Sequence, residues 1–327
     1  MLDLCDLVLP SNAGWLGNAP KTHDVPAMNI TLASQNFESP NTLTAEQDDN
    51  AITGAFVPFN SSTEEGQTIK GEIKCTSCIL RANLDGADLQ LEGWGLRNPS
   101  GLAFNDEGRL FTVVHGADER SSRPIANDSD KFYEINLNDS AVTAPWYGWP
   151  DYFGNAEPVT DEKFQSNMSS KPLEFVMQDH PAVEAPLALF QPPHTAVIQM
   201  DFGPAADEEQ FGCPGEAFVA QIGPNVSTPP EQGIVGQNIM RVNFNNGTIE
   251  EFLTLREPST SFKPTDVVFH EESGAANMTA LYIVDWGNLI PPTIPHTEVV
   301  WKIIQTGTST AVSEGKELAN QISTNIQ

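Results

Sequence analysis

The chain has 327 residues, with 16 basic and 44 acidic side chains and a net charge of −28 at neutral pH. This acidic balance repels phosphate backbones and anionic membrane surfaces, so we expect no nucleic-acid partner. Charged residues make up only 18% of the sequence while Gly and Pro are frequent, which is typical of turn-rich β proteins.

The beginning of the chain, Met1–Leu7, carries acidic residues where a signal peptide needs a basic flank and an apolar run, so no signal peptide is visible. No apolar run of about 18 residues occurs, and the sequence therefore predicts no membrane-spanning segment. Frequent Asn-X-Ser/Thr acceptors nevertheless favour a secreted, glycosylated protein. The acceptors are Asn29, Asn60, Asn127, Asn138, Asn167, Asn225, Asn246 and Asn277.

The four cysteines, Cys5, Cys75, Cys78 and Cys213, are too few for a disulfide framework or for a zinc site built from two CxxC pairs. The sequence leaves three alternatives open for Cys75 and Cys78: a local disulfide, pairing with the two distant thiols, or free buried thiols. A thioredoxin-like role is not favoured, because no βαβ pattern surrounds the pair.

Strand signals are sparse over residues 1–70, which read as a loop-rich segment with one or two strands. The run Cys78–Leu84 then reads as a strand, and an Asp-Gly turn separates it from a second strand at Leu89–Trp94.

An internal repeat dominates the rest of the chain, because three apolar strands follow one another three times. The first strands lie in Asn98–Phe104, Pro193–Phe202 and Lys263–Phe269, the second in Leu110–Gly116, Ala217–Gly223 and Leu281–Gly287, and the third in Phe132–Leu137, Ile239–Phe244 and Val299–Ile304. Repeated sets of short strands predict an all-β fold of the β-propeller type. Three to four blades are recognisable within residues 71–305, and residues 306–327 read as a polar tail.

Loop insertions of unequal length separate the repeats. The longest, between residues 137 and 193, holds the aromatic turn Trp146–Gly154 and a polar stretch with His180, and we expect a long surface excursion. We also expect His23, His180, His270 and His296 to lie in loops or at the surface.

Polar residues stand where the inner strand of each repeat begins. They are Arg97, Asn98 and Ser100 in the first repeat, His194 in the second, and Lys263 and Thr265 in the third. Such a set makes a convergent site for an anionic, planar or polyhydroxylated ligand. The alternative is that these residues cap strand ends and bond to loop backbone. His194 is the candidate proton acceptor.

A second candidate site is the turn at His115-Gly116-Ala117, where Gly permits carbonyl oxygens to point together. Carbonyl oxygens suit Ca²⁺, and acidic residues are close in sequence, with Asp130 as a candidate side-chain ligand. An acidic solvated loop is the alternative. No Gly-X-Ser-X-Gly elbow, His-Glu-X-X-His pair or phosphate-binding Gly-rich loop is present.

The runs Gly95–Phe104, Gly116–Pro124 and Tyr147–Pro150, followed by Lys263–Phe269 and Leu281–Gly287, resemble the glucose/sorbosone dehydrogenase family of soluble quinoprotein sugar and pyranose dehydrogenases. The resemblance covers about residues 70–305. It implies a six-bladed propeller that holds pyrroloquinoline quinone and Ca²⁺, oxidises a sugar by hydride transfer to the quinone, and passes electrons to an external acceptor.

Carried over residue by residue, the resemblance implies that Arg97 and Asn98 contact the quinone. It also implies that the carbonyls of Gly116 and Ala117 bind the Ca²⁺ ion. Lys263 stands where the family places a cation near the cofactor carboxylates.

The chain departs from the family at other positions. Thr265 stands in place of an Arg, Gly223 in place of a Lys, and Ser100 in place of a larger amide side chain. The early blade that bears the family's general base is not readable, so His194 is the internal candidate and we expect a fragment or a divergent member.

Two alternatives to the dehydrogenase follow. The thinned set of cations favours a non-catalytic, secreted propeller that binds carbohydrate or protein. A Ca²⁺-dependent lactonase on a similar propeller requires carboxylates or amides that converge on the metal, for which Asp285 and Asn98 are the candidates.

Overall fold

A computed structural model of the chain describes residues 6–11, 26, 28–33, 55–57, 61–71, 75–119, 123–137, 143–169, 171–204, 211, 214–224, 235–254, 262–271, 279–287 and 298–304. These residues form strands and one short 3₁₀-helix, Glu162–Phe164. The prediction of an all-β chain is therefore confirmed for the part of the chain that is described.

The strands are β1 (Asp6–Ser11), β2 (Ile30–Thr31), β3 (Thr68–Ile69), β4 (Cys78–Asn83), β5 (Gln90–Trp94), β6 (Pro99–Phe104), β7 (Leu110–Val114), β8 (Asp130–Ile135), β9 (Tyr152–Phe153), β10 (Glu157–Pro158), β11 (Ala188–Phe190), β12 (Val197–Phe202), β13 (Ala217–Gln221), β14 (Asn238–Asn243), β15 (Thr248–Leu253), β16 (Pro264–Glu271), β17 (Thr279–Asp285) and β18 (Val299–Ile304). All three strands predicted for each repeat are present. The outer strands β11 and β15 and the two-residue strands β9 and β10 are additional, and the described part of residues 1–70 holds three strands, β1, β2 and β3, instead of the one or two expected.

The chain divides into two compact units. Unit 1 contains residues 1–102 and 108–194, and unit 2 contains residues 103–107 and 195–327. Strand β6 begins in unit 1, and its last two residues, Ala103 and Phe104, belong to unit 2.

The principal sheet of unit 1 has four strands in the order β11-β8-β7-β6. Every residue of β7 is buried, because this strand lies in the middle of the sheet and is covered on both faces. Thr112 of β7 satisfies its buried hydroxyl by donating to the carbonyl of Gly101 at 2.8 Å. A smaller sheet has the order β1-β4-β5, and the pairs β2-β3 and β9-β10 complete the unit.

A disulfide joins Cys75 and Cys78 in the hydrophobic core of unit 1. This observation selects the local disulfide among the three alternatives that the sequence leaves open. Both residues pack in one cluster with Trp94 and Trp146, whose rings lie 5.8 Å apart. Cys5 and Cys213 lie outside the described residues.

The long insertion between β8 and β11 is not the surface excursion that its polar sequence predicts. Its aromatic turn supplies Trp149 and Phe153, and the 3₁₀-helix supplies Phe164, to a separate buried cluster with Ile125. The sequence does not predict this core. Its apolar residues are interspersed with polar ones and follow neither the helical nor the strand period, so periodicity gives no signal.

Unit 2 holds a four-stranded sheet, β12-β13-β14-β15, and a three-stranded sheet, β16-β17-β18. All neighbours in both sheets are antiparallel. Within each sheet the strands follow chain order, which is the up-and-down arrangement of propeller blades. The number of blades stays a prediction.

Candidate functional site

The candidate site of unit 1 begins at Gly95–Asn98, the residues that lead into β6. Gly95 has a φ of +76°, and a Cβ at this position would lie 2.5 Å from the Trp146 ring, so only glycine fits. The amide of Leu96 donates to the Ser77 carbonyl at 2.9 Å. Gly95 and Leu96 are thus held in place, and the next two residues, Arg97 and Asn98, are buried.

The turn after β7 is fixed by two carboxylates. The amide of Gly116 donates to Asp130 Oδ1 at 2.8 Å, and the amide of Ala117 donates to Asp128 Oδ2 at 2.6 Å. A Cβ on Gly116 would lie 2.2 Å from the Asp128 carbonyl oxygen, so this turn also requires glycine. The two aspartates therefore orient the turn through its amide groups.

Asp128 is itself buried and heavily bonded. Its Oδ1 accepts hydrogen bonds from Lys131 Nζ at 2.6 Å and from the Gly154 amide at 2.8 Å. Lys131 also donates to the Ser129 carbonyl. Because both ionic groups have hydrogen-bonding partners, the pair is compatible with the buried interior.

Arg97 connects the two loops. Its Nη1 donates to the Gly116 carbonyl at 2.5 Å, and its Nη2 pairs with Asp118 Oδ2 at 3.1 Å. The other carboxylate oxygen of Asp118, Oδ1, lies 3.4 Å from Nδ1 of His194. Arg97, Asp118 and His194 therefore form one continuous chain of charged and ionisable groups.

His194 is the partly exposed end of this chain. Its side chain is 26% exposed, whereas that of Arg97 is only 4% exposed. The hydrogen bond with Asp118 raises the pKa of His194 above its ordinary value; partial burial opposes this shift, and the charges of Asp118, Asp130 and Glu119 add to it. His194 also has a φ of +73°, which is strained for a residue with a Cβ.

The structure thus brings Arg97, Gly116, Ala117, Asp130 and His194 of the predicted site into one network. Asn98 lies beside it, since its carbonyl accepts the His115 amide at 3.1 Å. Ser100 lies within β6, and its hydroxyl donates to the Val113 carbonyl at 3.4 Å.

The remaining predicted residues belong to unit 2. Lys263 is buried, and its Nζ donates to the Ile222 carbonyl at 3.0 Å. Burial lowers the pKa of Lys263 below its ordinary value. Thr265 is half-buried and donates to the Val284 carbonyl at 3.3 Å.

Asp285, the candidate ligand of the lactonase alternative, accepts three hydrogen bonds from protein groups. These come from the amides of Lys263 and Gly287 and from the indole of Trp301. The side chain therefore organises the ends of β16 and β17.

Sequence reasoning missed a second buried carboxylate centre, Asp151, in the long insertion. Asp151 pairs with Arg123 at 3.2 Å and contacts His180 Nε2 at 3.0 Å. It also accepts the amides of Val176 and Met177. Burial lowers the pKa of Arg123 to about 10, and the charge of Asp151 opposes that change.

The placement of His180 against Asp151 corrects the expectation of a surface histidine. The ring lies 5.6 Å from the Trp146 ring and 4.7 Å from the Phe175 ring, and is half-buried between them. The sequence gives no signal for this contact, because the partners of Asp151 are distant along the chain.

Calcium is not supported by the residues that the structure describes. Among them, no three His, Cys, Asp or Glu side chains converge to hold a metal ion. Asp130 contacts the Gly116 amide, and the Gly116 carbonyl already accepts the Arg97 guanidinium. A Ca²⁺ ion at this oxygen would repel the adjacent cation, so the arrangement does not fit the ion.

Arg97 has one side-chain donor that no described residue satisfies. Its Nε is a buried donor that lacks a hydrogen-bond partner among the described residues. A small cavity lined in part by Arg97 measures about 10 Å³, which is room for one water molecule. A larger ligand would therefore have to lie on the open side, where Asp118 and His194 are partly exposed.

Four of the eight predicted glycosylation acceptors are described, and all four are exposed: Asn29, Asn127, Asn167 and Asn246. Asn60, Asn138, Asn225 and Asn277 lie outside the described residues. Within the part of the chain that is described, no helix is long and apolar enough to cross a membrane. Secretion and glycosylation stay predictions.

No family model matches the chain, and no curated protein matches it. Among solved structures, it is similar to the holo form of the pyranose dehydrogenase PQQ domain from Coprinopsis cinerea, with 19% identity and a TM-score of 0.43 over 64% of this chain and 59% of that chain. It is also similar to PQQ-bound aldose sugar dehydrogenase from Streptomyces coelicolor, with 15% identity and a TM-score of 0.42 over 70% and 52%.

A third similar structure is a glucose dehydrogenase-type oxidoreductase from Thermus thermophilus, with 17% identity and a TM-score of 0.36 over 64% of this chain and 50% of that chain. The matches span between half and three fifths of the length of these structures.

Proposed function

We propose that the chain carries the reaction site of a PQQ-dependent sugar dehydrogenase, acting on an aldose, a pyranose or a sorbosone-like sugar. The observation that supports this proposal is the continuous contact Arg97–Asp118–His194 in unit 1. It combines a buried cation with a partly exposed imidazole, and oxidation of a sugar hydroxyl requires both a proton acceptor and charge stabilisation.

His194 is the general base of the proposed reaction. Asp118 contacts Nδ1, which leaves Nε2 as the nitrogen that accepts a proton from the sugar hydroxyl. As the O–H bond breaks, its electron pair forms the new C=O bond, and the hydrogen on the same carbon leaves with the electron pair of the C–H bond as hydride. When bound, pyrroloquinoline quinone supplies the two-electron acceptor for that hydride.

Arg97 and Asn98 are the residues that would hold the quinone. The Arg97 guanidinium stabilises negative charge that develops on a ligand oxygen, and its contact with Gly116 fixes its orientation before the reaction. The raised pKa of His194 has a consequence for the reaction, because only the neutral imidazole accepts a proton. Turnover is therefore expected to rise with pH through that raised pKa.

A non-catalytic carbohydrate- or protein-binding propeller is the second candidate. The hydrogen bonds of the two cations favour this candidate, because Arg97 and Lys263 already donate to protein carbonyl groups. Fewer hydrogen bonds then remain for an anionic cofactor than in a site with unoccupied cations.

Titration calorimetry of the full chain with pyrroloquinoline quinone, with and without Ca²⁺, separates the two candidates. The dehydrogenase proposal predicts saturable binding, followed by dye reduction when a panel of sugars is added. Arg97→Ala is expected to weaken binding at least about tenfold, which corresponds to the loss of one charge-assisted hydrogen bond. Arg109→Ala, which removes a partly exposed ion pair with Glu134, is the matched control.

Absence of binding by folded wild-type protein would contradict the dehydrogenase proposal. Sugar binding without quinone binding would support the non-catalytic candidate. The same titration tests Ca²⁺, because an ion that belongs to the site increases the affinity for the quinone.

A further inference from the structure

The carboxylate of Asp118 has a contact on each oxygen. Oδ2 lies 3.1 Å from Nη2 of Arg97, and Oδ1 lies 3.4 Å from Nδ1 of His194. The sequence places Asp118 only in an acidic loop, 76 positions before the histidine it contacts. Its side chain is 28% exposed, so the carboxylate lies partly at the surface while it contacts both partners.

The backbone that carries Asp118 is immobilised by its neighbours. The amides of the two preceding residues, Gly116 and Ala117, are bonded to Asp130 and Asp128. The amide of Ile125 donates to the Asp118 carbonyl at 3.1 Å. A carboxylate on such a backbone can define the orientation of an imidazole, whereas one on an unbonded loop cannot.

The histidine side of the contact is also constrained. His194 and Ala196 have positive φ values, +73° and +53°, in a conformation that costs on the order of 1–3 kcal/mol for each residue with a Cβ. The surrounding structure must impose this backbone. The conformation brings the His194 ring to Asp118 at the boundary between buried and exposed groups.

We propose that Asp118 is a positioning residue, which rests on the proposed function of His194 as the base. It holds Nδ1 so that Nε2 faces the substrate, and it connects the imidazole to the Arg97 guanidinium. The base and the cation then keep a constant separation. Asp118 itself takes no proton from the sugar; it acts only through His194.

This role predicts the behaviour of Asp118→Asn. An amide in the same place can present its N–H group to Nδ1, which favours the wrong tautomer and leaves the proton on Nε2. Turnover is expected to fall by about 10²-fold or more, within the range that a general base contributes. The KM for the sugar is expected to change less than about threefold, because Asp118 does not contact the substrate.

Titration of His194 by NMR gives a readout that requires neither cofactor nor activity. The charged groups that face the ring are Asp118, Asp130 and Glu119. Asp118→Asn is expected to lower the pKa of His194, while Asp118→Glu keeps it raised. The His194 signal is assigned by its loss in His194→Gln, and Asp88→Asn, which changes an exposed aspartate, is the control.

The two proposals fail in different ways. If wild-type protein does not reduce the quinone with any sugar, the proposed function fails, while a lowered His194 pKa in Asp118→Asn would still support the contact on which positioning depends. If the pKa of His194 and the turnover of Asp118→Asn both equal those of wild type, the positioning role is wrong. Should Asp118→Asn fail to fold, Asp118→Glu decides: a raised His194 pKa with measurable turnover supports the role, and a pKa at its ordinary value overturns it.

Discussion

Two cations, one in each unit, make closely similar contacts with the backbone. Arg97 lies just before β6 and donates to the carbonyl of Gly116, which follows β7. Lys263 lies just before β16 and donates to the carbonyl of Ile222, which follows β13. The repeat therefore places a cation against a turn in both units.

The two positions differ in the groups beyond the carbonyl. Arg97 also pairs with Asp118, and through it with His194. The pKa of Lys263 is lowered by burial alone, with no contribution from an acidic side chain. The repeat therefore supplies the position of the cation, whereas the loop after β7 supplies the ionisable partner Asp118.

The largest expected effect follows from removing the cation of unit 1. Arg97→Ala is expected to lower quinone-dependent sugar oxidation by about 10²–10³-fold, because the variant loses the group that stabilises developing charge. The free energy of unfolding should also fall by about 2–3 kcal/mol, since the Gly116 carbonyl loses a charged donor. Dye-reduction kinetics and urea unfolding measure the two effects.

Arg109→Ala provides the scale for that result. Its ion pair with Glu134 is about one third exposed, so a change of about 0–1 kcal/mol and normal turnover are expected. Equal effects of the two substitutions would show that the position of Arg97 has no special role.

The next largest effect concerns the turn that the cation contacts. Gly116→Ala places a Cβ 2.2 Å from the Asp128 carbonyl oxygen, a backbone atom that cannot rotate away. We expect a loss of about 3 kcal/mol in the free energy of unfolding and a parallel loss of turnover. Gly108→Ala, where a Cβ meets open space but φ is +75°, should lose only about 1 kcal/mol. Urea unfolding of both variants tests the difference, and similar losses would contradict it.

A smaller effect appears in the pH dependence of stability. The folded state raises the pKa of His194, so it binds that proton more tightly than the unfolded chain does. The stabilisation is complete below the unfolded pKa of about 6.5 and is lost as the pH rises through the raised value. Urea unfolding between about pH 5.5 and 9 should therefore show a decline in wild type that His194→Gln lacks. Parallel curves would refute the contact with Asp118.

The smallest effect is expected at the cation of unit 2. Lys263→Met loses one hydrogen bond but also removes a buried charge, so the free energy of unfolding should change by less than about 1 kcal/mol.

The pH dependence of stability that comes from Lys263 has the opposite sign to that of His194, because the lowered pKa of Lys263 makes wild type more stable as the pH rises toward about 10.5. Unfolding measured from about pH 8 to 10.5 tests this slope. A loss as large as that of Arg97→Ala would remove the distinction between the units.

Much of the fold is predictable from the sequence, because central strands such as β7 and β13 consist almost entirely of apolar residues. Strand β15 was missed because its Glu residues face outward, and β11 because it is only three residues long. The repeat predicts the position of His194 at the start of an inner strand. It does not predict the partner Asp118, because the contact joins a loop to a strand start that is distant in sequence, and no local pattern encodes such a pair.

The role of His194 as the base can be measured as the rate at which excess sugar reduces quinone bound to the protein, followed by absorbance after rapid mixing in wild type and His194→Gln. The exposed His270→Asn variant is the matched control. We expect His270→Asn to react like wild type and His194→Gln to be slower by about 10²–10⁴-fold. Reduction in His194→Gln at the wild-type rate would contradict the assignment of the base.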